Sequence, residues 1–506
     1  MASPMSRLDT AIEVLPEPGL AFRYGQSMAD PHDGLTAFGP FDADQPGHPQ
    51  SISLGVVGSA SGVGRFADFS ALMRGPILPE PKADPRLWPM FPGFEAAFES
   101  EWPAAPTRVV ELDEVKIEEV SRLRDPYQRT GAVVDRYIEG IERIRKSGDR
   151  VDTVICVVPD FVYVRCRPMS RVPSPVGEAI KGKRLLERKA GQMELFDRFD
   201  PGLYEFSVDF RRQLKARSME FDLPIQLLRE STLRVGPPTR FGERTLTPLT
   251  DRAWNLGVAI YYKSGGKPWR LTTAREGVCY IGIAYRKHDV ADPRSACCAA
   301  QMFLDTGDGI VFMGEFGPWY SPERKQFHLE RHSATRLLKG VLDTYRQLEG
   351  KPLKEIFLHC RSGISADEFA GFEAACPSGV SLVGVRVRVE RRGLRLFREG
   401  QWPVLRGSMA RVGDRAAFLW GSGFKPLLGT YDGWEVPLPL RVDVQHGKAD
   451  VNQICGDILG LTKLNYNACR LGESEPVTVG FSDAVGEILV SNPKVARRLP
   501  QFKYYI

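Results

Sequence analysis

Four residues near the middle of the chain have the types and spacing to grip a phosphate. In Asp209-Phe-Arg-Arg-Gln-Leu-Lys215 a helical period puts Arg211 and Lys215, four residues apart, on one face. The strand-like Leu223-Pro-Ile-Gln-Leu-Leu228 then supplies Gln226, and a later helix ends in Tyr262-Lys-Ser-Gly-Gly-Lys-Pro-Trp269, with Lys263 beside a glycine turn. Cationic side chains near a helix terminus, backed by an amide, hold a terminal phosphate by charge-assisted hydrogen bonds. A solvated, charged helix face has the same look, and composition alone does not separate the two readings. The last residues, Phe502-Lys-Tyr-Tyr-Ile506, add a further candidate. Chain ends are usually polar and frayed, so an end closing on aromatics and Ile is expected to dock, with the Ile506 carboxylate inside the fold near a phosphate and a metal.

The elements that must position these residues alternate between strand and helix. Residues 1 to about 105 are rich in Gly, Pro and Asp and read as a loop-rich N-terminal portion, with strand-like pieces such as Ser51-Ile-Ser-Leu-Gly-Val-Val57. From about 106 the pattern gives a strand, a helix over Thr130 to Lys146, and a buried strand Val151 to Val158. A helix near 208 to 218, a strand near 223 to 228 and a helix Pro248 to Lys263 with Thr247 as N-cap follow. Such alternation indicates a parallel, Rossmann-like sheet. A second unit opens with the apolar run Val278-Cys-Tyr-Ile-Gly-Ile-Ala-Tyr285. It continues through hairpin-like strands at Ile310 to Glu315, an amphipathic helix carrying Leu337, Leu338, Val341 and Leu342, and the strand Glu355 to His359. The expected fold class is α/β, with domains at 1–105, 106–270 and 271–506.

A hairpin is expected from Arg386 to Arg398, which holds six arginines; with Val385, Val387 and Val389 facing inward, Arg386 and Arg388 share the outer face. Such a face suits a nucleic-acid backbone, and equally suits an edge strand protected by charge. Lys181-Gly-Lys-Arg184 and Arg188-Lys189 read as a basic surface loop. Trp254, Trp269, Trp319 and Trp434 are expected at core or interface positions.

The bulk properties exclude more than they assign. A chain of 506 residues, 42% hydrophobic and 26% charged, lies in the globular range, and its formal charge of +5 is too small to mark a dedicated basic domain. Nine cysteines without CxxC pairs, Cys297 and Cys298 among them, give neither a zinc site nor a secreted disulfide framework. His288, His328, His332 and His359 lack metal-ligand spacing, and no GxGxxG or GxxxxGK[ST] accompanies Gly282 or Gly314. No signal peptide or membrane-length apolar run is present, which leads to the expectation of a soluble, cytoplasmic protein.

The order Arg211, Lys215, Gln226, Lys263, followed by Gly265-Gly266-Lys-Pro-Trp269, resembles the guide 5′-phosphate pocket in the MID domain of Argonaute proteins. Leu461 to Gly486 is similar to the end of the PIWI domain. Pro16-Glu-Pro-Gly-Leu20, Asp30-Pro-His-Asp-Gly-Leu35 and Gly39-Pro-Phe-Asp42 resemble the opening of short prokaryotic Argonautes, which lack a PAZ domain. The resemblance implies a Rossmann-like MID domain and an RNase H-like PIWI domain.

In that family a set of carboxylates holds two metals that cut the target strand. The resemblance puts the corresponding positions at Ala284, at Ser362 in an Arg-Ser-Gly that replaces Arg-Asp-Gly, and at Asn467 on the C-terminal helix. Neutral side chains do not hold two divalent ions, so a dismantled nuclease is implied, with Glu315 or Glu323 as a lone remaining acid. The implied function is a sensor: a short RNA guide, its 5′-phosphate in the pocket, pairing with single-stranded DNA without cutting it. Mg²⁺ would lie between guide phosphates, Gln226 and the Ile506 carboxylate. The implied partner is a protein carrying an APAZ region joined to a TIR, sirtuin-like or nuclease effector, with heterodimerisation and target-induced oligomerisation. Two rivals stay open: an active guide-directed endonuclease using Asp367, Glu368 or Glu315, and a metabolic Rossmann-like enzyme.

Overall fold

The computed structural model describes residues 12–172, 206–236, 246–287, 296–303, 309–323, 325–348, 352–391, 393–489, 491 and 499–506. In chain order the strands are β1 Ile12–Val14, β2 Leu20–Ala21, β3 Ser27–Met28, β4 Leu54–Ser59, β5 Arg108–Leu112, β6 Thr153–Val158, β7 Ile225–Arg229, β8 Arg270–Leu271 and β9 Val278–Lys287. They continue as β10 Ala296–Phe303, β11 Gly309–Gly317, β12 Tyr320–Ser321, β13 Gln326–Phe327, β14 Glu355–Cys360, β15 Ser381–Val389, β16 Ser408–Arg411, β17 Ala416–Leu419 and β18 Leu440–His446.

Two sheets organise the molecule. The first runs β5-β4-β6-β7, all parallel. Its central strands β4 and β6 are buried along their whole length, as a sheet covered on both faces requires. Val56, Ile155 and Val157 face a core with Phe66 and Phe69 of the Ala60–Leu72 helix. Val57, Val154 and Cys156 face the opposite core, with Val134 and Tyr137 of the Pro126–Lys146 helix. That helix begins four residues before the expected Thr130 because Asp125 caps it and Pro126 occupies its first position.

The second sheet is mixed, ordered β1-β16-β17-β18-β15-β14-β9-β10-β11, with parallel pairing confined to β15-β14-β9. The Arg331–Leu348 and Ala366–Ala375 helices cover one face through Leu337, Leu338, Val341, Phe369 and Phe372. The Val451–Leu461 and Val477–Leu489 helices cover the other. Gly282 allows the last of these to approach, since a Cβ there would lie 1.9 Å from the main-chain oxygen of Thr478. The fold is thus α/β with a parallel Rossmann-like sheet beside a larger mixed one.

Several expectations need correction. The N-terminal portion is not separate at residue 105, because β4 sits at the centre of the first sheet while β1 pairs with β16 in the second. The strand-like stretch ending at Val57 is visible in the sequence, but not its place inside the sheet, buried on both faces. Thr247 is not the cap of the Leu249–Lys263 helix; Pro248 takes that position without a side-chain bond, and the Thr247 carbonyl accepts from Arg252 Nε at 3.1 Å. The stretch Arg386 to Arg398 is not a hairpin: β15 stops at Val389 and lies inside the sheet between β14 and β18, so the edge-strand reading falls. Val385 and Val387 do face inward, as expected. Trp254, Trp269 and Trp319 are buried, whereas Trp434 is fully exposed. The basic stretch Lys181 to Lys189 and His288 lie outside the described residues, as does the side chain of Cys297. Among the described residues no helix is long and apolar enough to cross a membrane.

Candidate functional site

Asp209 caps the Phe210–Ser218 helix by accepting from Arg212 N at 3.1 Å, which starts the helix so that Arg211 and Lys215 point the same way. β7 brings Gln226 alongside Ile155 of β6. Lys263 is the last residue of the Leu249–Lys263 helix, where the macrodipole favours a cation. Gly265, at φ +102°, turns the chain away immediately after it. A cavity of about 400 Å³ takes its walls from Arg211, Lys215, Gln226, Asn467, Glu487 and Ile506, with Tyr163, Arg167, Asp209 and Arg212 toward one side.

The end of the chain is docked there. Ile506 is buried, and its main-chain oxygen accepts from Lys263 Nζ at 2.5 Å, while the Tyr505 carbonyl accepts from Lys215 Nζ at 3.1 Å. Both lysines are almost fully buried. Burial, with the neighbouring Arg211, pushes Lys263 down to about 7. Burial followed by the Arg211 and Lys263 charges pushes Lys215 well below the ordinary lysine range. Two buried ammonium groups that donate to main-chain oxygens of the last two residues and, among the described residues, pair with no Asp or Glu side chain, with the exposed Arg211 guanidinium beside them, make a site that gains from an anion. Of the carboxylates on the wall, Glu487 pairs with Arg212 at 2.6 Å and Asp209 caps the helix.

The structure therefore brings Arg211, Lys215, Gln226 and Ile506 to one cavity with Lys263 directly behind it. It also relocates Asn467. This residue is not on the C-terminal helix but in the turn between the Val451–Leu461 and Val477–Leu489 helices, its backbone N–H donating to Asn465 Oδ1 at 2.9 Å, and it forms part of the cavity wall. Sequence reasoning missed Tyr163 on the cavity wall, whose ring carries the guanidiniums of Arg167 (3.9 Å) and Arg229 (3.8 Å). Nothing in its local sequence signals this, because Tyr163 is on the Asp160–Arg165 helix and Arg229 arrives from β7.

The turn carrying Asn467 is anchored by buried charge. Glu17 binds Arg406 at 2.9 Å and Lys463 at 2.8 Å, and Lys463 also donates to the Ala29 carbonyl at 2.8 Å. Arg406 reaches Thr462 Oγ1 at 2.7 Å, and Trp269 Nε1 donates to the Lys463 carbonyl at 3.0 Å. The motifs around Pro16 and Asp30 thus hold the cavity wall from behind.

The second candidate region is the carboxyl end of β9 and β14. Ile283 is the partner of Cys360, so Ala284 and Ser362 follow at the same end of adjacent parallel strands. Ala284 is buried and Ser362 half-buried. Arg361 beside them binds Glu475 at 2.6 Å, and Arg386 donates to the Arg361 carbonyl at 3.3 Å. Glu368 is buried and occupied: it accepts from Tyr285 Oη in a short bond, lies 3.4 Å from His328 Nδ1, and closes the capping box of the Ala366–Ala375 helix. Asp367 and Glu323 are exposed, and the Glu315 side chain lies outside the described residues. His359 contacts Thr478 Oγ1 at 2.9 Å, and burial pushes it down to about 3. Among the described residues no group of three His, Cys, Asp or Glu is placed to hold a metal ion.

No family profile matches the sequence, and no curated protein matches it. Solved structures do match. The Argonaute of Clostridium butyricum, bound to a guide DNA and a 19-mer target DNA, superposes over 96% of this chain with a TM-score of 0.58 at 14% identity. The chain has an Argonaute-like fold. An Aa-Ago structure with externally bound siRNA aligns over 97% of the chain (TM-score 0.56, 14% identity), and an Aquifex aeolicus Argonaute over 98% (TM-score 0.53, 14% identity). The chain spans about half the length of these Argonautes, 54%, 56% and 57% respectively. The Argonaute-like arrangement of a parallel sheet beside a larger mixed sheet is thus the one expected of a MID and a PIWI domain.

Proposed function

We propose that the chain is the MID–PIWI protein of a short prokaryotic Argonaute system, and that it binds the 5′-phosphate of a short RNA guide in the cavity walled by Arg211, Lys215 and Gln226. Paired to that guide, a single-stranded DNA target is held and left intact. The observation that carries this reading is the burial of Lys215 and Lys263 beside one cavity, paired with no Asp or Glu side chain among the described residues. Argonautes of the same fold bind a guide DNA with a target DNA, and siRNA. The absence of cutting is supported by Ala284 and Ser362 at the strand ends, beside which an Arg361–Glu475 pair stands and, among the described residues, no group of three His, Cys, Asp or Glu is placed to hold a metal ion.

The cavity fits Mg²⁺ conditionally. Gln226 and the main-chain oxygens of Ile506 are hard oxygen donors of the kind Mg²⁺ accepts, but Lys215, Lys263 and Arg211 repel a bare cation. An ion would sit there only together with ligand phosphates, and would add charge neutralisation to the grip of the lysines.

In this reading the output belongs to a partner: an APAZ-containing protein with a TIR, sirtuin-like or nuclease effector, held as a heterodimer in the cytoplasm as part of prokaryotic immunity and activated when target binds. The test is to co-express the chain with its neighbouring gene product, extract bound nucleic acid, and label 5′ ends with and without phosphatase. Short 5′-phosphorylated RNA, lost in Lys215→Ala/Lys263→Ala, with complementary single-stranded DNA bound but intact in Mg²⁺ and Mn²⁺, is the expected result. A target cut at a fixed distance from the guide 5′ end by this chain would replace the sensor with an endonuclease. Absence of nucleic acid would end the guide-binding reading.

A further inference from the structure

We propose that Arg386 to Trp402 forms a second nucleic-acid contact, which holds an unpaired strand by its phosphates and base faces without using its 5′ end. The charge distribution is the first observation. Arg386 to Arg398 contains six arginines and one glutamate, a formal +5 equal to the net charge of all 506 residues, so the rest of the chain sums to zero. A protein with no general basic character has concentrated its whole excess in thirteen residues.

The arrangement of that charge is the second. On β15, Arg386 and Arg388 share the face opposite the buried Val385 and Val387. Arg388 stands directly across from Arg441 of β18, a like-charge pairing that costs stability. Arg386 donates only to the Arg361 carbonyl, and Arg388 Nε is buried without a hydrogen-bond partner, both among the described residues. Arg388 and Arg441 each lean on one nearby acid, Glu390 at 3.7 Å and Asp443 at 3.0 Å. A polyanion laid along this face relieves the repulsion that the sheet imposes.

Beyond β15, Leu394 and Leu396 pack, with Phe418, against the cluster of Val404, Ala410 and Trp420, while Arg395 and Phe397 are exposed. Phe397 is 73% exposed. Arg398 lies 4.9 Å from the centre of the Phe424 ring, and the Trp402 ring, tilted by 34°, lies 5.3 Å from the same ring. A solvent-facing ring flanked in sequence by Arg395 and Arg398, with an aromatic pair beside Arg398, is a combination that binds single strands: cations follow the phosphates and rings stack on bases. A folded acidic protein would neutralise the charge but would leave Phe397 without a flat partner. This contact shares no residue with the cavity around Lys215 and does not depend on the function proposed for it.

The experiment uses the full chain, a single-stranded oligonucleotide with a 5′-hydroxyl and the same oligonucleotide with a 5′-phosphate, titrated across salt concentrations. Arg395→Glu/Arg398→Glu is expected to weaken the 5′-hydroxyl strand tenfold or more and to flatten the salt dependence by about 1.4 in log–log slope, the loss of two phosphate contacts. Phe397→Ala is expected to weaken it about fivefold with the slope unchanged. Both variants keep the wild-type melting temperature, since all three side chains are exposed, and both keep the wild-type preference for 5′-phosphate, which reads the other cavity. Wild-type affinity and slope in both variants would overturn the inference, including the case in which they instead lose a co-purifying protein.

Discussion

Lys263 ties the chemistry of the cavity to pH. Burial, then Arg211, holds it at about 7, far below its unfolded value, so between pH 7 and the ordinary lysine range the native state has released a proton that the unfolded state retains. Stability of the unliganded chain therefore rises with pH across that window. Binding of a phosphate requires the charged ammonium, so it takes the proton back. The preference for a 5′-phosphate over a 5′-hydroxyl strand is expected to shrink as pH goes from 6.5 to 9, and isothermal titration in buffers of different ionisation enthalpy should show net proton uptake at pH 8. Lys215→Ala removes a charged donor worth about 1.5–3 kcal/mol, so that preference should fall roughly 10- to 100-fold. Asn467 offers a sharper test of place. Asn467→Asp puts a negative charge on the cavity wall and is expected to weaken 5′-phosphorylated guide at least tenfold; if Asn467 served the strand ends at Ala284 and Ser362, guide binding would be unchanged.

Among the elements, the Val477–Leu489 helix joins the two regions. One end rests on Gly282 through Thr478, and its last turns give Ala484, Glu487 and Ile488 to the cavity. Gly282→Ala forces a methyl group into backbone, so a loss of about 1–3 kcal/mol is expected from overpacking, seen as a lower melting temperature together with weakened 5′-phosphate preference. Exposed Gly379→Ala, at φ +82° and facing open space, should cost stability without touching that preference. The strands β6, β9 and β14 were legible because continuous apolar runs announce buried strands, and the half-buried edge strand β7 from its short Ile-Gln-Leu-Leu stretch. β4 was legible as a strand but not as the centre of a sheet, since its neighbours β5 and β6 come about fifty and a hundred residues later. The interior position of β15 was illegible for the same reason: its partner β18 lies beyond a long excursion, and local alternation looks alike in an edge strand and in one whose outer face is charged. Arg211, Lys215, Gln226 and Lys263 could be named because helical spacing and order carry them. Asn467 was misplaced because a turn has no period to fix its register.

The whole molecule is held together by charge as well as by apolar packing. Burial disfavours the Glu17 carboxylate, but Arg406 and Lys463 outweigh burial and hold it below the ordinary glutamate range. That contribution is present above about pH 4.5 and is lost as pH falls through the lowered value. Glu17→Gln leaves two buried cations short of a counter-charge and is expected to cost about 3 kcal/mol, the low end for a broken buried pair because a quarter of the Glu17 side chain stays exposed. Thermal melts from pH 7 to pH 3 should show the wild type losing more than the variant as acid closes the gap between them. Because Lys463 begins the turn that carries Asn467, the same variant should also loosen 5′-phosphate binding.

The cavity draws its walls from Val158 to Ile506, and this dispersion sets a schedule during synthesis. A chain emerging from the ribosome exposes Tyr163, Lys215 and Gln226 early and can fold the parallel sheet around them. The opposing wall, from Asn467 through Glu487 to Ile506, is translated only after every strand of the mixed sheet. Until then the early half presents cationic side chains with one side of their enclosure missing.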